Sequence, residues 1–148
     1  MGYKIAFDPS IAHIGYCIFE GGTVVDIGTL NRPEKHRTYH AKLEWVASVV
    51  HDLCCDVLLP LGSTIEKVVI EDFQAHTKHP TKSLLKLAAA QGVIFAMASW
   101  NAQSVFFLNK GKAKKEEAQL LAKHAGLKCD EHGADAYHLG ILAGFDHR

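Results

Sequence analysis

The order of the predicted secondary-structure elements constrains this chain more than any other feature of its sequence. Three β-rich runs precede the first helix, and strands and helices alternate after it. The Gly21–Gly22 pair between the second and third runs predicts a tight hairpin, because both glycines can take positive φ. The predicted strands are residues 3–7, 15–19, 23–30, 67–71 and 104–108, and the predicted helices are about 38–58, 81–100, 114–124 and 134–143.

This β-β-β-α-β-α-β-α-α order predicts an α/β fold, with a mixed five-stranded sheet flanked by helices on both faces. It fits the ribonuclease-H-like fold and equally the first half of an actin-like ATPase domain. The chain has 148 residues, no linker and no internal repeat, so we expect a single domain over 1–148. An actin-like protein would need a second, similar domain.

The composition is that of a globular intracellular protein. Hydrophobic residues make up 48% and charged residues 22%, and 16 Lys and Arg balance 16 Asp and Glu. The 4 cysteines form no CxxC pair, which predicts a reduced, cytoplasmic protein. The N-terminus lacks a secretion signal, and the most apolar window, residues 84–100, contains Lys86 and Gln91, so we expect no membrane partner. No P-loop motif is present, and we expect no nucleotide cofactor.

Acidic residues stand at the ends of three predicted elements. Asp8 ends the first strand, Glu71 ends the fourth, and Asp135 is predicted to open the last helix, with His132 on the loop before it. If the first and fourth strands are neighbours, these carboxylates meet at one edge of the sheet. Each acid alone is more often a turn or cap residue, and His132 alone is typical of a surface loop. The functional interpretation depends on the three acids converging.

Converging carboxylates of this kind predict a metal centre. They would repel and raise one another's pKa unless a cation lies between them. Hard oxygen ligands suit Mg²⁺, with Mn²⁺ as the alternative. Two such ions, about 3.5–4 Å apart, would hold the attacking and leaving oxygens of a phosphodiester. The pattern therefore predicts nuclease chemistry.

Basic residues are concentrated in two stretches that follow sheet strands. Residues 75–86 carry Lys78, Lys82 and Lys86 without an acid, and residues 109–128 carry six lysines against two glutamates. This arrangement is typical of binding to a phosphate backbone, although a run of lysines is also typical of a solvated helix face. Phe73, just past Glu71, is a candidate for stacking on a base, with packing under the loop as the alternative.

Four segments together resemble the RuvC-type Holliday-junction resolvases, in the compact form typical of phage-encoded members. They are FDPSIAHIGYCIF at the first hairpin, VVIEDFQ at the fourth strand, SLLKLAAAQGVIFAMA in the second helix and HGADAYHLGIL near the end. The family pattern places an Asp, then Gly-Tyr seven and eight residues later, as in Asp8, Gly15 and Tyr16. Ser10 departs from it, because the family usually has Gly after Asp-Pro.

The resemblance implies a homodimeric, Mg²⁺-dependent endonuclease that binds four-way DNA junctions and nicks two strands symmetrically, leaving 5′-phosphate ends. It would act in the cytoplasm of a bacterial or phage-infected cell. Asp8, Glu71 and Asp135 would hold metal, and His132 would bind metal or assist the water. The implied phosphate contact is one or more of Lys110, Lys112, Lys114 and Lys115, with Lys112 as the catalytic candidate.

The sequence leaves open the substrate, the presence of catalysis, the residue that would wedge the junction, and the dimer surface. The same centre would suit a nuclease acting on other branched DNA or on RNA–DNA hybrids. A non-catalytic junction-binding module would need the lysines but not the converging acids. The family's junction-wedging Phe usually lies three residues after the Glu, where this chain has Gln74. We expect the dimer surface on the exposed half of the 38–58 or 81–100 helix.

Overall fold

A computed structural model describes residues 2–72, 81–109 and 115–146 of the chain. Five strands and four helices follow one another in the predicted order. They are β1 (Gly2–Asp8), β2 (His13–Glu20), β3 (Thr23–Asn31), α1 (Tyr39–Leu58), β4 (Thr64–Glu71), α2 (Lys82–Asn101), β5 (Ala102–Leu108), α3 (Lys115–His124) and α4 (Glu131–Leu142).

The strands form one mixed sheet in the order β3-β2-β1-β4-β5. β1, β2 and β3 pair antiparallel, whereas β4 runs parallel to both β1 and β5. Gly21 and Gly22 have φ of 57° and 84°, so the hairpin turn uses the backbone conformation that glycine takes without strain. The predicted five-stranded sheet and the neighbouring positions of β1 and β4 are confirmed.

Helices cover both faces of the sheet, and alternation along β1 divides the core between them. Ile5 and Phe7 face α1 and α2, whose buried residues include Val46, Val50 and Ile94. Ala6 faces the other way, toward α3 and α4, in a cluster with Cys17, Phe19 and Leu139. Because successive strand residues point to opposite faces, a side chain's position in its strand decides which helix pair it meets.

α2 is tied to the sheet beneath it although much of its surface is apolar. The Gln91 side chain, 6% exposed, donates a 2.7 Å hydrogen bond to the carbonyl oxygen of Glu71 at the end of β4. By length and composition alone α2 could cross a membrane, with a mean hydropathy of 1.3, but one such helix in the described residues is weak evidence. Only 22% of its most apolar window is buried, so the helix presents an apolar face to the outside.

α4 begins earlier than its sequence predicts. Its N-cap is Asp130, whose side chain accepts a 3.0 Å hydrogen bond from the Gly133 amide. The prediction that Asp135 opens this helix is therefore wrong, as is the placement of His132 on a loop. His132 lies in the first turn and Asp135 one turn further on. Asp135 is thus not the capping residue, so helix capping does not explain why an acid stands at this position.

Candidate active site

Asp8 and Glu71 occupy equivalent positions at the ends of two neighbouring parallel strands. The register pairs Ala6 with Val69 and Phe7 with Ile70, so Asp8 and Glu71 stand at the next step of the same ladder. Asp8 shares its face of the sheet with Ala6, and Glu71 shares the same face with Val69, which is the face covered by α4. The two carboxylates that the sequence predicts to meet are therefore brought together.

α4 crosses this edge of the sheet because β2 has a glycine there. Gly15 pairs with Asp8, and a Cβ atom at Gly15 would lie 2.0 Å from the carbonyl oxygen of His132. Any side chain at this position would push the first turn of α4 away from the sheet. At the other end of the helix, Gly140 makes a similar close approach to the ring of Phe19. The absence of side chains at Gly15 and Gly140 therefore allows α4 to pack close to the sheet.

The first turn of α4 is also fastened to the edge strand β3. The Thr29 hydroxyl donates a hydrogen bond to the Asp130 carboxylate, which also caps the helix. Partial burial works to raise the pKa of Asp130, but the hydrogen bonds from Thr29 and the Gly133 amide, together with nearby His132, hold that pKa below its usual value. The Asp130 carboxylate therefore forms an anionic clamp, meaning that it is hydrogen-bonded both to Thr29 on β3 and to the first turn of α4.

This placement puts His132 directly beside Asp8. The His132 Nδ1 atom lies 3.9 Å from an Asp8 carboxylate oxygen, and its Nε2 atom lies 3.7 Å from Glu131. The side chains of His132 and Asp8 are 27% and 15% exposed, so both remain accessible from solvent. A ligand reaching Asp8 would meet the imidazole as well.

Asp135, the third predicted acid, lies on the same helix as His132. It lies three residues after His132 and so on the same side of α4, and it is only 8% exposed. A carboxylate this far from water is costly unless it is paired, hydrogen-bonded or bound to a cation. α4 therefore carries two of the predicted catalytic residues, His132 beside Asp8 and Asp135 one turn further along the helix, over the face of the sheet that Asp8 and Glu71 share.

His13, which is not among the predicted site residues, also lies beside His132. Its ring stacks on that of His132, with centroids 5.1 Å apart and planes 19° apart. Its Nδ1 atom lies 2.8 Å from the Asn31 side-chain oxygen. The signal was its period-2 spacing from Gly15, which puts both residues on the α4 face of β2.

Tyr16, the second residue of the Gly-Tyr motif, lies on the opposite face and has a structural role. Its hydroxyl donates a 3.2 Å hydrogen bond to Asp26 across the hairpin. Gly28, its partner in β3, leaves room for this ring, because a Cβ there would lie 2.9 Å from the hydroxyl. Burial and the Asp26 carboxylate raise the pKa of Tyr16 to about 12.

The carboxylates and the imidazole at this edge suit a hard divalent cation, but their side chains do not form a complete coordination site. Carboxylates and one imidazole are the ligands that Mg²⁺ and Mn²⁺ accept. Across residues 2–72, 81–109 and 115–146, no three His, Cys, Asp or Glu side chains converge as a ready-made metal site. The ligand types and the neighbouring strand ends of Asp8 and Glu71 therefore suit such an ion. To bind it, the carboxylates would have to move closer together.

The predicted basic residues fall mostly outside the described part of the chain. Lys82 is exposed in the first turn of α2, and Lys86 lines a cleft of about 450 Å³ beside Pro9 and Ser10. The residues for which the structure gives no side-chain placement are Phe73, Lys78, Lys110, Lys112, Lys114 and Lys115. Next to Glu71, the Asp72 amide donates a 2.9 Å hydrogen bond to the Leu108 carbonyl.

The strand order and the helices on both faces give the chain a ribonuclease-H-like α/β fold, with Asp8 and Glu71 at neighbouring strand ends on one face of the mixed sheet. No protein-family model and no curated protein sequence matches the chain. Among solved structures, RuvC of Thermus thermophilus in complex with a Holliday junction substrate superposes with a TM-score of 0.76 and 16% identity, covering 98% of this chain and 94% of that one.

A second structure, Thermus thermophilus RuvC, gives a TM-score of 0.71 at 18% identity, covering 97% and 93% of the two chains. The chain therefore has the RuvC fold over nearly its whole length. The resemblance that the sequence motifs indicate is confirmed at the level of the three-dimensional fold.

Proposed function

We propose that this protein is a metal-dependent, structure-selective endonuclease that resolves four-way DNA junctions by hydrolysing phosphodiester bonds. The observation that carries the proposal is the placement of Asp8 and Glu71 at the ends of the neighbouring parallel strands β1 and β4, with Nδ1 of His132 on α4 lying 3.9 Å from an Asp8 carboxylate oxygen. The RuvC fold supports the same assignment, because one of the similar structures contains a Holliday junction. We place its action in the cytoplasm of a bacterial or phage-infected cell.

Asp8, Glu71 and Asp135 would hold the divalent ions, with Mg²⁺ as the expected metal, Mn²⁺ as the alternative and two ions in each site. When bound, the ions would acidify a water molecule and neutralise the charge that develops on the leaving 3′-oxygen. His132 lies where it would either bind metal or accept a proton from the attacking water. Cleavage would leave 5′-phosphate nicks.

The positive charge that binds DNA would come from both sides of this edge. Lys86 lines the cleft that begins at Pro9, one residue after Asp8, and Lys82 lies one turn before it. The second contribution would come from the stretch between β5 and α3, in which Lys112 is the candidate contact to the scissile phosphate. Neutralising phosphates from two sides would hold the backbone across the carboxylates.

Symmetric nicking of two strands requires two sites, and we propose a homodimer. The exposed face of α2 fits this role because it is apolar and carries small residues where a second helix could approach. Leu85 and Trp100 on this helix are 58% and 84% exposed, and Phe95 stacks on Phe107 of β5 with ring centroids 5.3 Å apart. Gly92 lies between them, with open space where its side chain would be.

The test is cleavage of a labelled synthetic four-way junction beside a linear duplex of the same sequence, with Mg²⁺, Mn²⁺ or EDTA. Paired, symmetric nicks confined to the junction and abolished by EDTA would support the proposal. Equal cutting of both substrates would contradict junction selectivity while retaining a nuclease. Tight junction binding without cutting in any metal would indicate a binding module instead. An RNA–DNA hybrid in the same assay tests the remaining alternative.

A further inference from the structure

We infer that His13 and Asn31 form a positioning pair that fixes the imidazole of His132 beside Asp8. The inference rests on the proposed function, since it assigns a role within that active site. His13 begins β2 and Asn31 ends β3, and the two residues are direct partners in the antiparallel ladder. Neither belongs to the acidic set that the sequence predicts.

His132 needs such support because its polar neighbours do not hold its ring. Its contacts to Asp8 and Glu131, at 3.9 and 3.7 Å, are both longer than a hydrogen bond. The helix backbone fixes the Cα position but leaves the ring free to turn about its side-chain torsions. The stack on His13, with planes only 19° apart, restricts the plane of the His132 ring.

The His13 ring is itself fixed by a hydrogen bond. Its Nδ1 atom lies 2.8 Å from the Asn31 side-chain oxygen, which is within hydrogen-bond distance. The backbone of this corner is tied as well. The Arg32 amide donates to the Ala12 carbonyl at 2.9 Å, and the Arg32 guanidinium donates to the Ile11 carbonyl at 2.8 Å. His13 is therefore a ring anchored on the sheet.

These contacts connect β3 to the proposed catalytic edge in three steps. Asn31 orients His13, His13 stacks on His132, and His132 lies against Asp8. Residues that orient an active-site group from behind commonly change metal affinity or activity by about 10- to 100-fold when they are replaced. We assign this positioning role to His13, with Asn31 acting through it.

Two variants and one control test the assignment in the full-length protein. In His13→Ala, the NMR signals of the His132 ring protons should lose the ring-current shift produced by the stack. With junction substrate, kcat should fall about 10-fold or more while KM changes little, because His13 positions a catalytic group and does not bind DNA. His13→Phe keeps a flat ring but loses the hydrogen bond to Asn31, so it should restore part of kcat and not all of it. His40→Ala, at an exposed position on α1, should leave both measurements unchanged.

Asn31→Leu removes the acceptor but keeps the side-chain bulk, and it should shift the His132 signals in the same direction as His13→Ala. The inference is overturned if His13→Ala leaves the His132 signals and kcat at wild-type values. It is overturned equally if His13→Phe is as slow as His13→Ala. If the wild-type protein cuts no junction, the proposed function fails, whereas the NMR measurement still decides whether His13 fixes the His132 ring.

Discussion

The carbonyl oxygen of His132 lies 2.0 Å from the point that a Cβ atom on Gly15 would occupy. This contact joins the second strand to the first turn of the last helix at the position paired with Asp8. It explains in physical terms why Gly15 stands where it does in the first hairpin. The glycine lets α4 approach closely enough for His132 to reach Asp8.

We predict that Gly15→Ala lowers both stability and cleavage. The added methyl group cannot fit unless α4 moves, and overpacking of this kind costs about 1–3 kcal/mol. Urea denaturation should show the loss, and the remaining folded protein should nick junctions more slowly because His132 and Asp135 move with the helix. Gly92→Ala is the matched control for monomer stability alone, because its Cβ would meet nothing within 4 Å in the monomer but would lie on the face proposed to pair with a second copy. That variant should gain up to about 1 kcal/mol, and a Gly15→Ala protein as stable and active as wild type would contradict this account.

Asp130 should contribute stability that is lost in acid. Because the folded state holds its pKa below the usual value, the contribution is present at neutral pH and disappears as the pH falls below about 4 through the folded pKa. Asp130→Ala should cost about 0.5–2 kcal/mol at neutral pH through loss of the cap. Asp130→Asn should keep most of the cap but flatten the pH dependence. Denaturation curves of both variants from neutral pH into acid check this, and an unchanged acid slope in Asp130→Asn would count against the clamp.

The cysteines should react with a thiol reagent in a fixed order. Cys55 is exposed, whereas Cys17 and Cys54 are buried, and Cys129 is partly covered. Burial raises the pKa of Cys17 and of Cys129, and it raises that of Cys54 to about 12. We expect one fast equivalent from the native protein, absent in Cys55→Ser, and full reaction of Cys17 and Cys54 only after unfolding. Fast reaction of Cys54 would contradict the packing of α1.

Replacing Phe95 by Glu should weaken the proposed dimer. Phe95 is 37% exposed on the apolar face of α2, so a charge there would lose the stack on Phe107 in the monomer and would also be buried against the partner helix in the dimer. Sedimentation should show a shift toward monomer. Leu61→Glu, at a fully exposed site after α1, is the control and should not change the mass. Unchanged dimers of the Phe95 variant would place the interface elsewhere.

The sheet could be predicted from local patterns because its signals are local. The glycine pair at 21 and 22 marks the hairpin, and the apolar run Val68–Ile70 ending in Glu71 is typical of a central parallel strand. The meeting of Asp8 with Glu71 follows directly from the order of the strands. The hairpin, the central strand and the neighbouring strand ends can be predicted without knowing how the helices pack on the sheet.

The rest depends on tertiary contacts that the sequence does not display. α4 begins at Glu131 although Gly133 is a poor helix former, because Thr29 fastens its cap from the far edge of the sheet. The stack of His13 on His132 exists only once α4 crosses Gly15. Predictions about Phe73, Lys78 and residues 110–114 fall outside the described residues and stay predictions.

The most direct measurement compares wild type with Asp8→Asn on a labelled four-way junction, following binding and cleavage in Mg²⁺. Asp52→Asn, at an exposed position on α1, controls for the loss of one negative charge. We expect Asp8→Asn to bind the junction as well as wild type and to leave it uncut, while Asp52→Asn cuts normally. Undiminished cleavage by Asp8→Asn would contradict the assignment of this sheet edge as the catalytic centre.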